Sequence, residues 1–163
     1  MYYEHVVRLL QRRGVTVDAI ADIVFHLQKP YHEDLTVEQC RASVERVLRK
    51  REVQYAVITG ATLDMLAEEK KLPEPMQTIM DTDDPLYGMD EILALGITNV
   101  YGSIGLTNFG YLDKRKPLIL ERLNRKDAGI HVFLDDLVAG IAAAASARIA
   151  HRLPVEQQSE EDL

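Results

Sequence analysis

The chain has 163 residues, 47% of them apolar and 28% charged, which is enough to build the core of one ordinary domain and too apolar for a disordered tail. A net charge of −7 excludes a basic nucleic-acid-binding face, so a phosphorylated ligand would need a local cation or a metal ion. The single cysteine, Cys40, excludes an internal disulfide framework and fits a reducing cytosol.

Helical periodicity runs along the whole chain, and no stretch alternates as a half-buried strand would. The start, Met1-Tyr2-Tyr3-Glu4-His5, lacks the charged opening and apolar run of a signal peptide, so a cytoplasmic chain is expected. Residues 2–12 read as a first helix that stops at Gly14. Val17, Ile20, Val24 and Leu27 line a second, ended by Pro30. Thr36 with Gln39 forms a capping box for a third, with Val37, Cys40, Val44 and Val47 turned inward. Lys50-Arg51 reads as a solvated turn, and the stripe Val53, Ala56, Val57, Gly60, Leu63 and Leu66 carries a further helix to Lys71. Pro73 and Pro75 break the chain before a short helix at 76–80, and 81–85 reads as a loop. Gly88 precedes a helix reaching Tyr101, with a glycine-punctuated continuation to Leu112. Pro117 stands where the first residue of a helix belongs, with Leu118, Ile119, Leu120 and Leu123 behind it. The last helix spans 132–152. The expected fold is therefore all-α: a single-domain compact array over residues 1–155, of about seven to eight helices around a buried, alanine- and glycine-rich C-terminal helix. Residues 156–163 read as a disordered tail.

Two stretches carry no charge. Ile92–Leu112 is 21 residues long, sufficient to span a bilayer, but it contains Thr98, Asn99, Ser103, Thr107, Asn108 and four glycines, so burial in protein is expected. Leu137–Ala147 is the other, and a helix apolar on all sides belongs in the middle of a fold. Carboxylates stand at the borders of both: Asp90-Glu91 and Asp113 around the first, Asp135-Asp136 before the second. Buried carboxylates are costly unless paired or bound to a cation, and their oxygens suit hard ions such as Mg²⁺ or Mn²⁺. Glu91, Asp135, Asp136 and Asp90 are the candidate ligands; the alternative is that acidic residues in a first helical turn serve as caps. Lys114-Arg115-Lys116 follows Asp113 and precedes Pro117, so cations and a helix start could together cradle a phosphate, unless these are solvated loop residues. His131, four residues before Asp135, could reach the site or support it from behind. Ser103 and Ser146 lack a nucleophile-elbow context, and no Gly-rich phosphate loop occurs.

Three strings of residues resemble the phosphatidylglycerophosphatase A family, most closely its soluble YutG/LtrC-like branch. They are Leu86-Tyr87-Gly88-Met89-Asp90-Glu91, Leu112-Asp113-Lys114-Arg115-Lys116-Pro117 and Leu134-Asp135-Asp136-Leu137-Val138-Ala139-Gly140. They occur in the family's order and together span about residues 85–150. The resemblance implies Mg²⁺-dependent removal of the terminal phosphate of phosphatidylglycerophosphate, with Asp90, Glu91, Asp113, Asp135 and Asp136 as metal and catalytic carboxylates. It implies Lys116 as the phosphate contact, with Lys114 and Arg115 beside it. Membrane-embedded members have several spanning helices, whereas the N-terminal half here is polar and charged. The expected partners are therefore a phosphorylated lipid substrate and at most the inner membrane surface, with self-association through the small-residue helices, and no nucleic acid. The rival readings are a phosphatase of a soluble phosphoester and a non-catalytic helical module that keeps the scaffold and its metal.

Overall fold

The computed structural model describes residues 1–84 and 87–152, and all regular structure among them is helical. Pro85, in the expected loop, and the expected tail lie outside the described residues. In chain order the α-helices are α1 (Tyr3–Arg12), α2 (Val17–Gln28), α3 (Val37–Leu48), α4 (Arg51–Glu68), α5 (Met76–Thr82), α6 (Met89–Thr98), α7 (Gly102–Arg115), α8 (Ile119–Leu123) and α9 (Leu134–Arg152). α9 is the axis of the molecule and packs against α2, α3, α4, α6, α7 and α8. Every residue from Leu134 to Ala147 is buried, as the uncharged alanine-rich sequence requires. Small residues let the neighbours close in. A Cβ on Gly140 would come 3.1 Å from the Ala94 carbonyl oxygen of α6, and one on Gly60 of α4 would lie 2.9 Å from Phe133 Cβ.

The N-terminal half supplies one wall of this core. Thr36 and Gln39 form the reciprocal capping box that opens α3, at 3.2 and 2.9 Å. Cys40, Val44 and Val47 face inward; Val37, in the first turn, does not, being 38% exposed.

Two expectations fail in the C-terminal half. Pro117 does not start a helix: α7 runs on to Arg115, Lys116 (φ 44°) and Leu118 (φ 57°) adopt left-handed backbone, and α8 begins only at Ile119 and is five residues long. Leu118 is half exposed in consequence. Nor is Ile92–Leu112 core throughout. α6 and α7 flank α9, and Ala94, Ile97, Phe109 and Leu112 are buried on them. Their outer side leaves Ile92 58%, Val100 52%, Leu106 55% and Tyr111 46% exposed. The physical reason is position: α9 already fills the centre, so α6 and α7 are covered on one side only. By length and composition, Met89–Arg115 is a stretch that could cross a membrane.

Candidate metal and phosphate site

The chain reverses between α6 and α7 through a 3-10 turn at Asn99–Tyr101 and Gly102 (φ 74°), so the head of α6 and the foot of α7 meet at one end of the molecule. The first turn of α9 ends there too. The result is an open pocket of about 260 Å³ lined by Asp90, Glu91, Asp113, Lys116, Asp135 and Asp136, with Asp83 and Asp84 at its rim. All five carboxylates expected at the site, and Lys116, are thereby brought together. Lys114 and Arg115 are not among the lining residues; both are exposed on the last turn of α7.

Burial divides the carboxylates. Asp135 and Asp136 are only 8% and 4% exposed, Asp90 and Asp113 are half-buried, and Glu91 is exposed. Lys116 Nζ donates to Asp135 Oδ2 at 2.8 Å and to Asp113 Oδ1 at 3.3 Å, bridging α7 and α9. The left-handed backbone at Lys116 ends α7 and turns its side chain back over these two acids. Asp135 Oδ1 accepts the Asp136 N–H at 2.8 Å, so a capping function and a site function coexist in one carboxylate. Burial pushes the Asp135 carboxyl above its usual range even against Lys116. Burial and the neighbouring Asp135 push Asp136 up to about 9. Burial would lower Lys116, but Asp135, with Asp136 and Asp113, outweighs it and holds the ammonium above its usual range.

Among the described residues, no three acidic, histidine or cysteine side chains already converge on one point as a preformed ion site. The Lys116 ammonium stands in as the cation between Asp113 and Asp135. The donor chemistry nonetheless fits a hard divalent ion: the pocket is walled by carboxylate oxygens, and two of its acids, Asp135 and Asp136, are buried with their carboxyls pushed up by burial.

The residues that hold this site in place were not visible as motifs. Asp64 of α4 is fully buried, and its two oxygens accept the N–H groups of Phe133 and Leu134 at 3.1 and 3.0 Å, capping α9 from another helix. Burial raises its carboxyl to about 7 against the pull of those two hydrogen bonds. One turn on, Glu68 accepts the Ile130 N–H at 2.9 Å and takes a bidentate pair from Arg13 at 2.7 and 2.8 Å. Arg13 also donates to the Ile130 carbonyl at 2.7 Å. His131 belongs to this support: Nε2 lies 2.8 Å from the Ala128 carbonyl and Nδ1 3.2 Å from the Arg13 guanidinium, an arrangement that suits the neutral ring. Burial lowers its pKa accordingly. The sequence signal for Asp64 is a carboxylate standing on the buried stripe Val57, Gly60, Asp64, Ala67.

Beside the acidic pocket lies a second opening of about 430 Å³ between α4 and α6, lined by apolar side chains including Tyr55, Leu63, Met89, Ile92, Leu93 and Phe133. Tyr87 lines both openings, so the two adjoin.

Comparison with known proteins gives a consistent assignment. The family model described as Phosphatidylglycerophosphatase A matches residues 7–151. The uncharacterised protein YutG of Bacillus subtilis strain 168 is 60% identical over 144 residues, covering 88% of this chain and 87% of YutG. A solved structure of a protein of unknown function from Bacillus stearothermophilus superposes with a TM-score of 0.91 at 56% identity, over 93% of this chain and 95% of that one. The low temperature requirement C protein of Listeria monocytogenes superposes at 0.89 with 55% identity, over 91% and 94%.

Proposed function

The chain belongs to the phosphatidylglycerophosphatase A family, and from that premise we propose that it is a Mg²⁺-dependent phosphomonoester hydrolase acting on phosphatidylglycerophosphate or a close lipid relative. The observation that carries the proposal is the acidic pocket in which one ammonium, Lys116, sits among carboxylates from α6, α7 and α9. Asp90, Glu91, Asp135 and Asp136 are the side chains that would hold Mg²⁺ or Mn²⁺, with Asp113 beside them. When bound, the ion supplies charge neutralisation and Lewis acidity for phosphoryl transfer, a reaction that needs chiefly positioning and electrostatic stabilisation.

The chain's own groups do the rest. Asp136, whose carboxyl burial and Asp135 push up, would bind a cation as the carboxylate and release a proton in doing so. Lys116 exchanges a carboxylate partner for a phosphate oxygen and orients it through a charge-assisted hydrogen bond. The adjoining apolar groove favours a substrate with a hydrocarbon portion over a wholly water-soluble phosphoester. Work at the inner membrane face from the cytoplasm follows from that substrate. The ion pairs of Lys116 with Asp113 and Asp135 favour a second reading, a non-catalytic module in which the lysine has replaced the metal.

Phosphate release with Mg²⁺, measured on lipid and soluble phosphomonoesters in parallel, separates these readings. Lipid-selective release supports the proposal, soluble-only release retires the lipid, and no release from any substrate leaves the module. In the same assay Lys116→Ala should lose about a hundredfold or more, corresponding to roughly 2–4 kcal/mol of transition-state stabilisation. Lys114→Ala, on the exposed side of α7, should keep nearly full activity; the reverse ranking would misplace the phosphate.

A further inference from the structure

We propose that Asp64 is a positioning residue for the acidic pocket: from α4 it sets the register and direction of the first turn of α9, and through that turn the placement of Asp135 and Asp136. The inference rests on the reading of that pocket as a cation site.

Three observations combine. First, the Phe133 and Leu134 N–H groups at the start of the helix that carries the pocket's two most buried acids go to Asp64, 69 and 70 residues away in sequence. Second, the hold is bidentate and dry. Asp64 is 0% exposed and gives one oxygen to each N–H, which fixes both the axial position and the rotation of the turn. Third, the same helix grips the preceding chain one turn further along, where Glu68 takes the Ile130 N–H and is itself locked by Arg13. α4 thus acts as a rack with two teeth, four residues apart on one helical face, engaging the segment that leads into α9. Gly60, one turn before Asp64, lets α4 lie close enough for the engagement, since a Cβ there would strike Phe133 and Leu137.

A simple cap would affect stability alone. A positioning residue must also govern how well the next residues bind a cation, because supporting hydrogen bonds tune ligand placement. The Asp136 N–H, which bonds to Asp135 Oδ1, is a reporter of that placement.

The test compares Asp64→Asn and Asp64→Ala with Ser43→Ala in the full chain. Ser43 makes a buried hydrogen bond to Ala145, far along the same α9, and serves as the control for stability loss without repositioning. Mn²⁺ alone is the probe, titrated by calorimetry, alongside melting temperature and hydrogen exchange at the amides of 135–137. The expected result is Mn²⁺ binding weakened roughly tenfold or more by Asp64→Ala, with Asp64→Asn between it and the parent because one acceptor oxygen survives. Ser43→Ala should melt earlier and bind Mn²⁺ as the parent does. Exchange at 135–137 should quicken in both Asp64 variants relative to residues 141–147. Parent-like Mn²⁺ binding by a folded Asp64 variant would overturn the proposal. If Asp64→Ala fails to fold, Asp64→Asn carries the same comparison. A parent that binds no Mn²⁺ defeats the cation-site reading, and unchanged exchange at 135–137 then defeats the positioning role separately.

Discussion

The molecule contains two uncharged helical stretches that look alike on paper and lie in opposite surroundings. Leu137–Ala147 of α9 has six helices around it and no exposed residue. Ile92–Leu112, in α6 and α7, turns one side to α9 and the other outward, with Ile92 and Leu106 more than half exposed. Lack of charge is therefore a necessary condition for the central helix and an insufficient one. What separates the two is position: α9 fills the centre, and α6 and α7 lie around it. Alanines and Gly140 let neighbours close in on α9, whereas the outer stretch, though it holds four glycines, is covered on one side only, and a Cβ on Gly96 or Gly110 would meet nothing within 4 Å. The acidic pocket forms where the ends of both stretches meet, which is why it combines two deeply buried carboxylates with others open to water.

One lysine placed in each stretch breaks or sharpens this contrast, and the larger effect belongs to α9. Ala144 is 0% exposed, so Ala144→Lys forces an unpaired ammonium and a long stem among packed helices. The expected cost is at least about 4 kcal/mol, comparable with the whole stability of a marginal domain, and denaturant melts should find little folded protein. A well-folded variant would mean that α9 can shift to let the ammonium reach water.

Much of this was legible in the sequence because the signals are local. The capping box at Thr36 and Gln39, the uncharged run after Asp136 and the three acidic strings each occupy a few neighbouring residues. Asp64 was not legible as a functional residue. In sequence it is one more acid in an amphipathic helix, and its meaning arises only when α4 lies against Phe133 and Leu134. The Arg13–Glu68 pair is hidden for the same reason, its partners being brought together across 55 residues. The expected start of a helix at Pro117 failed because a left-handed turn at Lys116 and Leu118, residue types that rarely adopt it, intervenes. With that turn go the bond from Lys116 to Asp135 and the burial of Leu120, both tertiary, beside the local pair of Lys116 with Asp113.

The pocket's half-buried character makes a pH-dependent prediction of intermediate size. Asp136 has a folded-state pKa of about 9 against an ordinary 3.8, so across that window the cation-free folded chain binds more protons than the unfolded one. Its contribution to stability is whole below the ordinary value and is lost as pH rises towards 9. A divalent cation at the pocket replaces the missing proton, so the rise in melting temperature caused by Mg²⁺ should grow between pH 6 and pH 8.5. Asp136→Asn should abolish the pH dependence of that rise. Thermal melts with and without Mg²⁺ at the two pH values decide the matter; an equal rise at both, in parent and variant alike, would remove Asp136 from the cation site.

The smallest expected effect is the most diagnostic for the outer stretch. Leu106 is 55% exposed on α7, in the middle of an uncharged surface. Leu106→Lys keeps a strong helix former, lets the methylene stem cover the same apolar neighbours and sends the ammonium into water. It also adds a positive charge to a chain whose net charge is −7, which lowers self-repulsion slightly. Stability should therefore change by no more than about 0.5 kcal/mol, as for ordinary surface substitutions. The measurement is the denaturation midpoint of the dilute protein, repeated at higher concentration. A loss of a few kcal/mol that deepens with concentration would show that copies of the chain cover this face for one another. In that case the two uncharged stretches would be alike after all, one buried within the fold and the other between folds.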